Sequence, residues 1–180
     1  AGNGLAQARD IAAAVAHART LPYVDGARIV VVGQSHGGLS TMAFGTSEQP
    51  GVLGLINFAG GLKLDRCTGW ESALVEAFAD YGKAGRYRSL WFYGDNDSYW
   101  PKPTIDEMYA RHVAAGGKAR LVAFGSFKGD SHGMFSQQDG LAIWWPEVEK
   151  FLVELGLPVA LLPVPPADAE SQRLAEAGKV

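Results

Sequence analysis

The sequence predicts an α/β fold, one domain built on a mostly parallel sheet with helices on both faces. Three observations predict it. Four short β-branched or aromatic runs are spaced along the 180 residues, with stretches of helical periodicity between them. The runs are continuous rather than alternating, which suits parallel strands covered on both faces. Two of them pass through glycine into a following helix or loop within a few residues, the handover expected of a strand-to-helix unit.

Residues 5–19 are predicted helical because Leu5, Ala8, Ala12 and Val15 recur at helical spacing, with Asn3 as the expected N-cap. Pro22 and Gly26 punctuate the end. Residues 28–32 form the first strand and stop at Gly33; a helix follows over 37–44, with Gly45 as its C-cap. Residues 52–58 form a strand ending at Ala59-Gly60-Gly61. A helix over 70–81 carries Leu74, Val75 and Phe78 on one face. Residues 89–93 form a strand ending at Gly94, 104–115 a helix closed by Gly116-Gly117, and 119–124 the last strand. A helix over 144–155 is expected to hold Pro146 in its first turn, where proline is tolerated. Four prolines between 157 and 166 then divide the chain into a main domain, 1–157, and a Pro-rich tail, 158–180.

Bulk properties exclude several classes of function. Lys plus Arg is 16 and Asp plus Glu is 19, a net charge of -3, too mild to point to nucleic acid or a charged membrane surface. No apolar run approaches the ~18 residues that span a bilayer. The one cysteine, Cys67, forms no internal disulfide and no zinc site. The opening Ala1-Gly2-Asn3-Gly4 has neither an initiator Met nor a signal-peptide pattern, and reads as the start of a processed or truncated chain whose compartment is open.

The chemistry centres on Gly33-Gln34-Ser35-His36-Gly37. A G-x-S-x-G pattern alone is weak, but here a buried strand runs into it and a helix runs out. That strand-turn-helix corner is a nucleophile elbow, with glycines expected at both flanks because the turn is tight. Ser35 is the candidate nucleophile, and the His36 backbone N–H a candidate oxyanion donor. A serine needs a base. His17 and His112 are expected at the surface, and the His36 side chain leaves the turn in the wrong direction, although it can line the pocket. His132, in Gly129-Asp130-Ser131-His132-Gly133 after the last strand, lies at the carboxyl end of the sheet with Ser35. The acid that orients it comes from Gly94-Asp95-Asn96-Asp97: Asp97 is preferred, and Asp95, nearer the strand, is the alternative that caps the turn. Those residues also suggest a calcium loop, but Trp100 and Asp106 stand where such a loop needs Gly and Glu. No metal or cofactor is implied. Phe58, Tyr99, Trp100 and Met134 are candidates for an acyl pocket.

Three segments carry a resemblance: 24–38 with the elbow, 90–101 (LWFYGDNDSYWP) and 129–135 (GDSHGMF). Together they resemble the C-terminal two-thirds of a dienelactone hydrolase-like protein of the α/β-hydrolase superfamily, over about residues 5–157. The resemblance implies Ser35 as nucleophile, Asp97 as acid and His132 as base. Dienelactone hydrolases proper have cysteine at the elbow, so Ser35 shifts the expectation toward carboxylic-ester hydrolysis of a small-molecule ester. The fold also implies strands before the elbow strand, and a loop there that supplies a second oxyanion donor. With those N-terminal strands missing, Ile29, Val30, Val31 and Val32 are expected to form an exposed edge prone to self-association, and turnover is expected to be slow. The alternatives are a non-catalytic interaction module and a serine peptidase of the same superfamily.

Overall fold

A computed structural model describes residues 2–160. The elements are α1 (Gly2–Ala18), β1 (Ile29–Gln34), α2 (His36–Phe44), β2 (Val52–Phe58), α3 (Trp70–Ala84), β3 (Arg88–Tyr93), α4 (Lys102–Ala114), β4 (Lys118–Ala123) and α5 (Leu141–Glu154), with short 3₁₀ turns at Ser131–Ser136 and Gln138–Gly140. The four strands form one parallel sheet in the order β1-β2-β3-β4. The tail expected over 158–180 lies outside the described residues from position 161 onward.

Alternation along the strands assigns the two faces. Leu55, Trp91 and Tyr93 point into a core shared with α1, α2, α3 and α4. Ile56, Phe58, Leu90 and Phe92 point the other way and pack with Val148 and Phe151 of α5. A sequential strand order with crossovers of one hand places the connecting helices on the same face, and α5 returns across the other. The register aligns the strand ends: Gln34 lies opposite Phe58, Phe58 opposite Phe92, and Phe92 opposite Val122. The loops that follow β1, β3 and β4 therefore leave the sheet at one level. Among the described residues, β1 has a neighbour on one side only, and Val32 is 49% exposed while Ile29, Val30 and Val31 are half-buried. No described helix is long and apolar enough to cross a membrane.

Several local expectations are corrected. Asn3 lies inside α1 rather than capping it, because the helix already includes Gly2. Pro146 is the sixth residue of α5, not a first-turn residue, because the 3₁₀ turn at Gln138–Gly140 feeds directly into the helix. Ile143 and Trp144 pack against the Phe58 core, which holds the turn ahead of the proline despite its missing N–H. Gly45 does cap α2 as expected, but with a right-handed φ of -64° rather than a left-handed one; a Cβ there would lie 2.4 Å from Leu55 Cδ1, the end of a side chain that would have to shift. His112 is buried, not at the surface. It follows Ile105 and Met108 at helical spacing on the core face of α4, its ring centroid is 4.7 Å from that of Trp91, and its Nδ1–H donates to the Phe78 carbonyl at 2.9 Å.

Burial holds the His112 imidazole below its ordinary pKa, outweighing the hydrogen bond to Phe78 that acts the other way. The unfolded chain takes up a proton near pH 6.5 while the folded ring resists, so stability falls as the pH drops below that value, until the folded ring itself titrates. His112→Asn keeps an N–H donor near the same place and removes the titration. Urea unfolding at neutral pH and at about pH 5.5 should show a smaller acid-induced loss of stability in the variant than in the parent. Equal losses would place the acid sensitivity elsewhere.

Candidate active site

Ser35 is the single residue between β1 and α2, with φ 55° and ψ -123°. This left-handed backbone is uncommon for a residue with a side chain and costs of order 1–3 kcal/mol. Three hydrogen bonds hold it: Ser35 N–H to the Phe58 carbonyl (2.9 Å), and the N–H groups of Leu39 and Gly61 to the Ser35 carbonyl (3.1 Å each). The corner closes so tightly that a Cβ on Gly33 would lie 2.2 Å from the Gly37 carbonyl oxygen. The expectation of a second forced glycine at Gly37 is corrected, since a Cβ there meets open space. The second close approach falls one residue later, where a Cβ on Gly38 would lie 2.4 Å from Asn57 Oδ1 and 2.7 Å from Gly60 Cα. His36 opens α2, so its backbone N–H is among those that a helix start leaves without an intrahelical partner.

The loops after β3 and β4 bring two more side chains to this corner. His132 Nε2 lies 3.0 Å from Ser35 Oγ, and His132 Nδ1 lies 3.0 Å from Asp97 Oδ2. A carboxylate only accepts, so Nδ1 carries the hydrogen and Nε2 is free to accept from the serine hydroxyl. The Asp97 side chain is fully buried, and its Oδ1 accepts from the N–H groups of Tyr99 (2.8 Å) and Trp100 (3.1 Å). Asp95 is exposed; its backbone N–H donates to the Gly125 carbonyl. Of the two acids, the structure therefore sets Asp97 against the imidazole. The histidine backbone is held too: Gln34 Nε2 donates to the His132 carbonyl (3.1 Å), and His132 N–H donates to Asp130 Oδ1 (2.9 Å), which caps the 3₁₀ turn. Sequence reading singled out neither Gln34 nor Asp130. The signal for Asp130 was an Asx residue two places before the histidine; no signal pointed to Gln34.

The other candidates divide. Tyr99 is 48% exposed and its ring centroid lies 4.4 Å from that of His132. Trp100 is buried, donates from Nε1 to the Ala59 carbonyl (2.7 Å) and lies 6.0 Å from the His132 ring. Phe58 and Met134 are buried in the core beneath the site, with Phe58 stacked on Phe92 at 4.7 Å. A small cavity under His132 is lined by both, together with Phe124 and Phe135. The His36 ring turns toward α1, with Nδ1 3.5 Å from Gln7 Nε2. His17 and Cys67 are exposed. Among the described residues, no group of three or more His, Cys, Asp or Glu is arranged to hold a metal ion. Asn96 accepts from the Phe127 N–H at Oδ1 and donates from Nδ2 to the Lys128 carbonyl.

The strain at Ser35 is testable without any substrate. Glycine adopts a positive φ freely whereas alanine does not, so Ser35→Gly should be more stable to urea than Ser35→Ala by about 1 kcal/mol. Equal unfolding midpoints would mean that the corner stores no strain.

No protein-family model matches the chain, and no curated protein does. Solved structures match it. A Klebsiella pneumoniae protein assigned as a dienelactone hydrolase superposes with a TM-score of 0.57 at 17% identity, covering 84% of this chain and 60% of that one. Esterase 2 of Thermogutta terrifontis gives 0.62 at 22% identity, over 86% and 67% of the two chains. A puromycin-hydrolysing peptidase of Mycobacterium tuberculosis gives 0.61 at 17% identity, over 88% and 27%. The chain thus spans about 60% of the length of the Klebsiella protein. At these identities the likeness is one of fold: four parallel strands alternating with helices form a partial α/β-hydrolase fold, structurally similar to dienelactone hydrolase and to esterases of that fold.

Proposed function

We propose that this chain carries the nucleophile, base and acid of a serine hydrolase that cleaves carboxylic esters through an acyl-enzyme. The observation that carries the reading is the unbroken hydrogen-bonded line from Ser35 Oγ through His132 to Asp97. In this reading His132 Nε2 takes the Ser35 proton as Oγ attacks the ester carbonyl. Asp97 stabilises the resulting imidazolium, and the oxyanion forms against the His36 N–H. The imidazolium then protonates the leaving alkoxide, and water, activated by the same ring, releases the acid. Each step draws only on side chains, backbone N–H and water. Tyr99 and Trp100 are proposed as the rim of the acyl pocket, with Phe58 and Met134 as the packing beneath it. Residues 1–157 are taken as the partial catalytic domain and 158–180 as a tail outside the chemistry. The likeness in fold to a peptidase favours a second reading, amide cleavage by the same residues.

A fluorophosphonate probe should label the chain at Ser35, and Ser35→Ala should abolish labelling and lower p-nitrophenyl ester turnover by ~10⁴-fold or to background. Cys67→Ala should change neither, and Asp97→Asn should cost far more than Asp95→Asn. Labelling that survives Ser35→Ala, or a larger loss at Asp95, overturns the assignment. A folded chain that takes up no probe points to an interaction module. Cleavage of a peptide p-nitroanilide that Ser35→Ala abolishes selects the peptidase.

The reading extends to the edge of the sheet. An apolar groove bordered by Ile11, Val15, Val24, Ile29 and Val31 runs beside the outer side of β1. An edge of this kind is a template for a further strand, and a second copy of the chain is the proposed occupant. Sedimentation over a concentration series should show self-association that Val32→Lys weakens. A monodisperse monomer at every concentration would exclude it.

A further inference from the structure

Asp97 and His132 meet from two different loops, one after β3 and one after β4. The parallel ladder between those strands runs to Tyr93 and Ala123, and just beyond it the Phe124 N–H bonds the Tyr93 carbonyl, the Asp95 N–H bonds the Gly125 carbonyl, and the Asn96 side chain bonds the Phe127 N–H and the Lys128 carbonyl. Nearer to Asp97 and His132 a carboxylate makes the tie. Asp130 Oδ2 accepts from Ser98 Oγ at 2.6 Å, and its Oδ1 accepts from the Ser98 N–H at 3.1 Å and from the His132 N–H at 2.9 Å. Ser98 directly follows Asp97, and Asp130 lies two residues before His132. One carboxylate therefore ties the peptide that carries the acid to the peptide that carries the imidazole. Capping the 3₁₀ turn needs only the bond to the His132 N–H. The two bonds to Ser98 reach across to the other loop and serve no cap.

We infer that Asp130 is a positioning residue, a clamp that sets the separation of Asp97 and His132 and hence the aim of Nε2 at Ser35. The catalytic meaning of the clamp rests on the function proposed above; the clamp itself does not. Burial acts to raise the Asp130 carboxyl, but the hydrogen bonds from the Ser98 hydroxyl, the His132 N–H and the Ser98 N–H outweigh it, so the group is held below its ordinary pKa. It is thus an acceptor at both oxygens at neutral pH, as three donors require. Displacement by about 1 Å at a reacting centre can cost on the order of 10²-fold in rate, so a tie between loops outside the ladder bears directly on turnover.

The test compares Asp130→Ala, Asp130→Asn and Ser98→Ala in the full chain. Asparagine keeps Oδ1 for both backbone N–H groups, and its Nδ2 can donate to Ser98 Oγ, so it preserves the clamp without the charge. Two readouts are taken. One is the rate of fluorophosphonate labelling, with kcat and KM for a p-nitrophenyl ester. The other is the His132 Nδ1–H resonance in protein labelled with ¹⁵N-histidine, which reports the bond to Asp97 whether or not the chain turns over. Asp130→Ala should lower kcat by about 10–100-fold with little change in KM, and should broaden or abolish the Nδ1–H signal. Ser98→Ala should shift both in the same direction by less, and Asp130→Asn should restore both to near the parent. Equal damage in Asp130→Asn and Asp130→Ala would overturn the inference, because the charge and not the hydrogen-bond geometry would then matter. A parent-like signal and rate in Asp130→Ala, or in Ser98→Ala if Asp130→Ala does not fold, would also overturn it. A parent chain that takes up no probe, yet loses the Nδ1–H signal in Asp130→Ala, would defeat the hydrolase reading and leave the clamp standing.

Discussion

The backbone of Ser35 turns from strand to helix in one residue, and the rest of the site is arranged around that corner. The turn is possible because Gly33 has no side chain to meet the Gly37 carbonyl. It is held in place because the Phe58 carbonyl and the Gly61 N–H, both from the end of β2 and beyond, bond to Ser35. A left-handed residue with a side chain is unfavourable in isolation and persists only where its surroundings over-determine it. Here the neighbouring strand, the first turn of α2 and the close approach of Gly38 to Asn57 and Gly60 supply that constraint. The side chain is consequently presented above the sheet, at the level where the other loops emerge.

The two faces of the sheet contribute differently to the site. On the four-helix face, Tyr93 donates to the Gly60 carbonyl at 2.6 Å and accepts from Asn57 Nδ2 at 3.1 Å, which fixes the buried polar floor behind the corner. Burial then pushes the Tyr93 hydroxyl strongly upward in pKa, so it stays a neutral donor there. On the α5 face, Phe58 stacks on Phe92 and meets Phe135 at a tilt and Trp144 edge-on, an aromatic cluster beneath the His132 loop. This packing supports the loop from below, while Gln34 and Asp130 hold its backbone from the sides. Rigid support of this kind is what allows a loop residue to hold a 3.0 Å contact to a side chain on another element.

Local patterns made much of the fold legible, and they failed where the deciding contact was distant. The runs at 52–58 and 89–93 are legible as strands because buried parallel strands are continuous in their apolar character. His112 shares the helical spacing of Ile105 and Met108, but the partners that make it a core residue, Phe78 and Trp91, belong to other elements and leave no mark beside it in the sequence. A proline favours the first turn of a helix, yet packing of Ile143 and Trp144 extends α5 ahead of Pro146. Glycine spacing in the elbow motif pointed to Gly37, whereas the crowded position is Gly38, whose neighbours Asn57 and Gly60 come from the next strand and its loop.

By itself the sequence determined the alternation of strand and helix, the corner at Ser35 and the shortlist of histidines and acids, because each of these is written in residues adjacent along the chain. Tertiary structure decided which of them meet. The register that puts Gln34, Phe58, Phe92 and Val122 in one row brings the loops of Asp97 and His132 to Ser35. The turn that gives Asp97 the N–H groups of Tyr99 and Trp100 faces that carboxylate, rather than that of Asp95, to the imidazole. The contacts of Gln34 and Asp130 with the His132 backbone are equally products of the assembled fold. A hydrogen bond across 97 or 98 residues has no local signature, since its geometry exists only once the sheet has set the strand ends side by side.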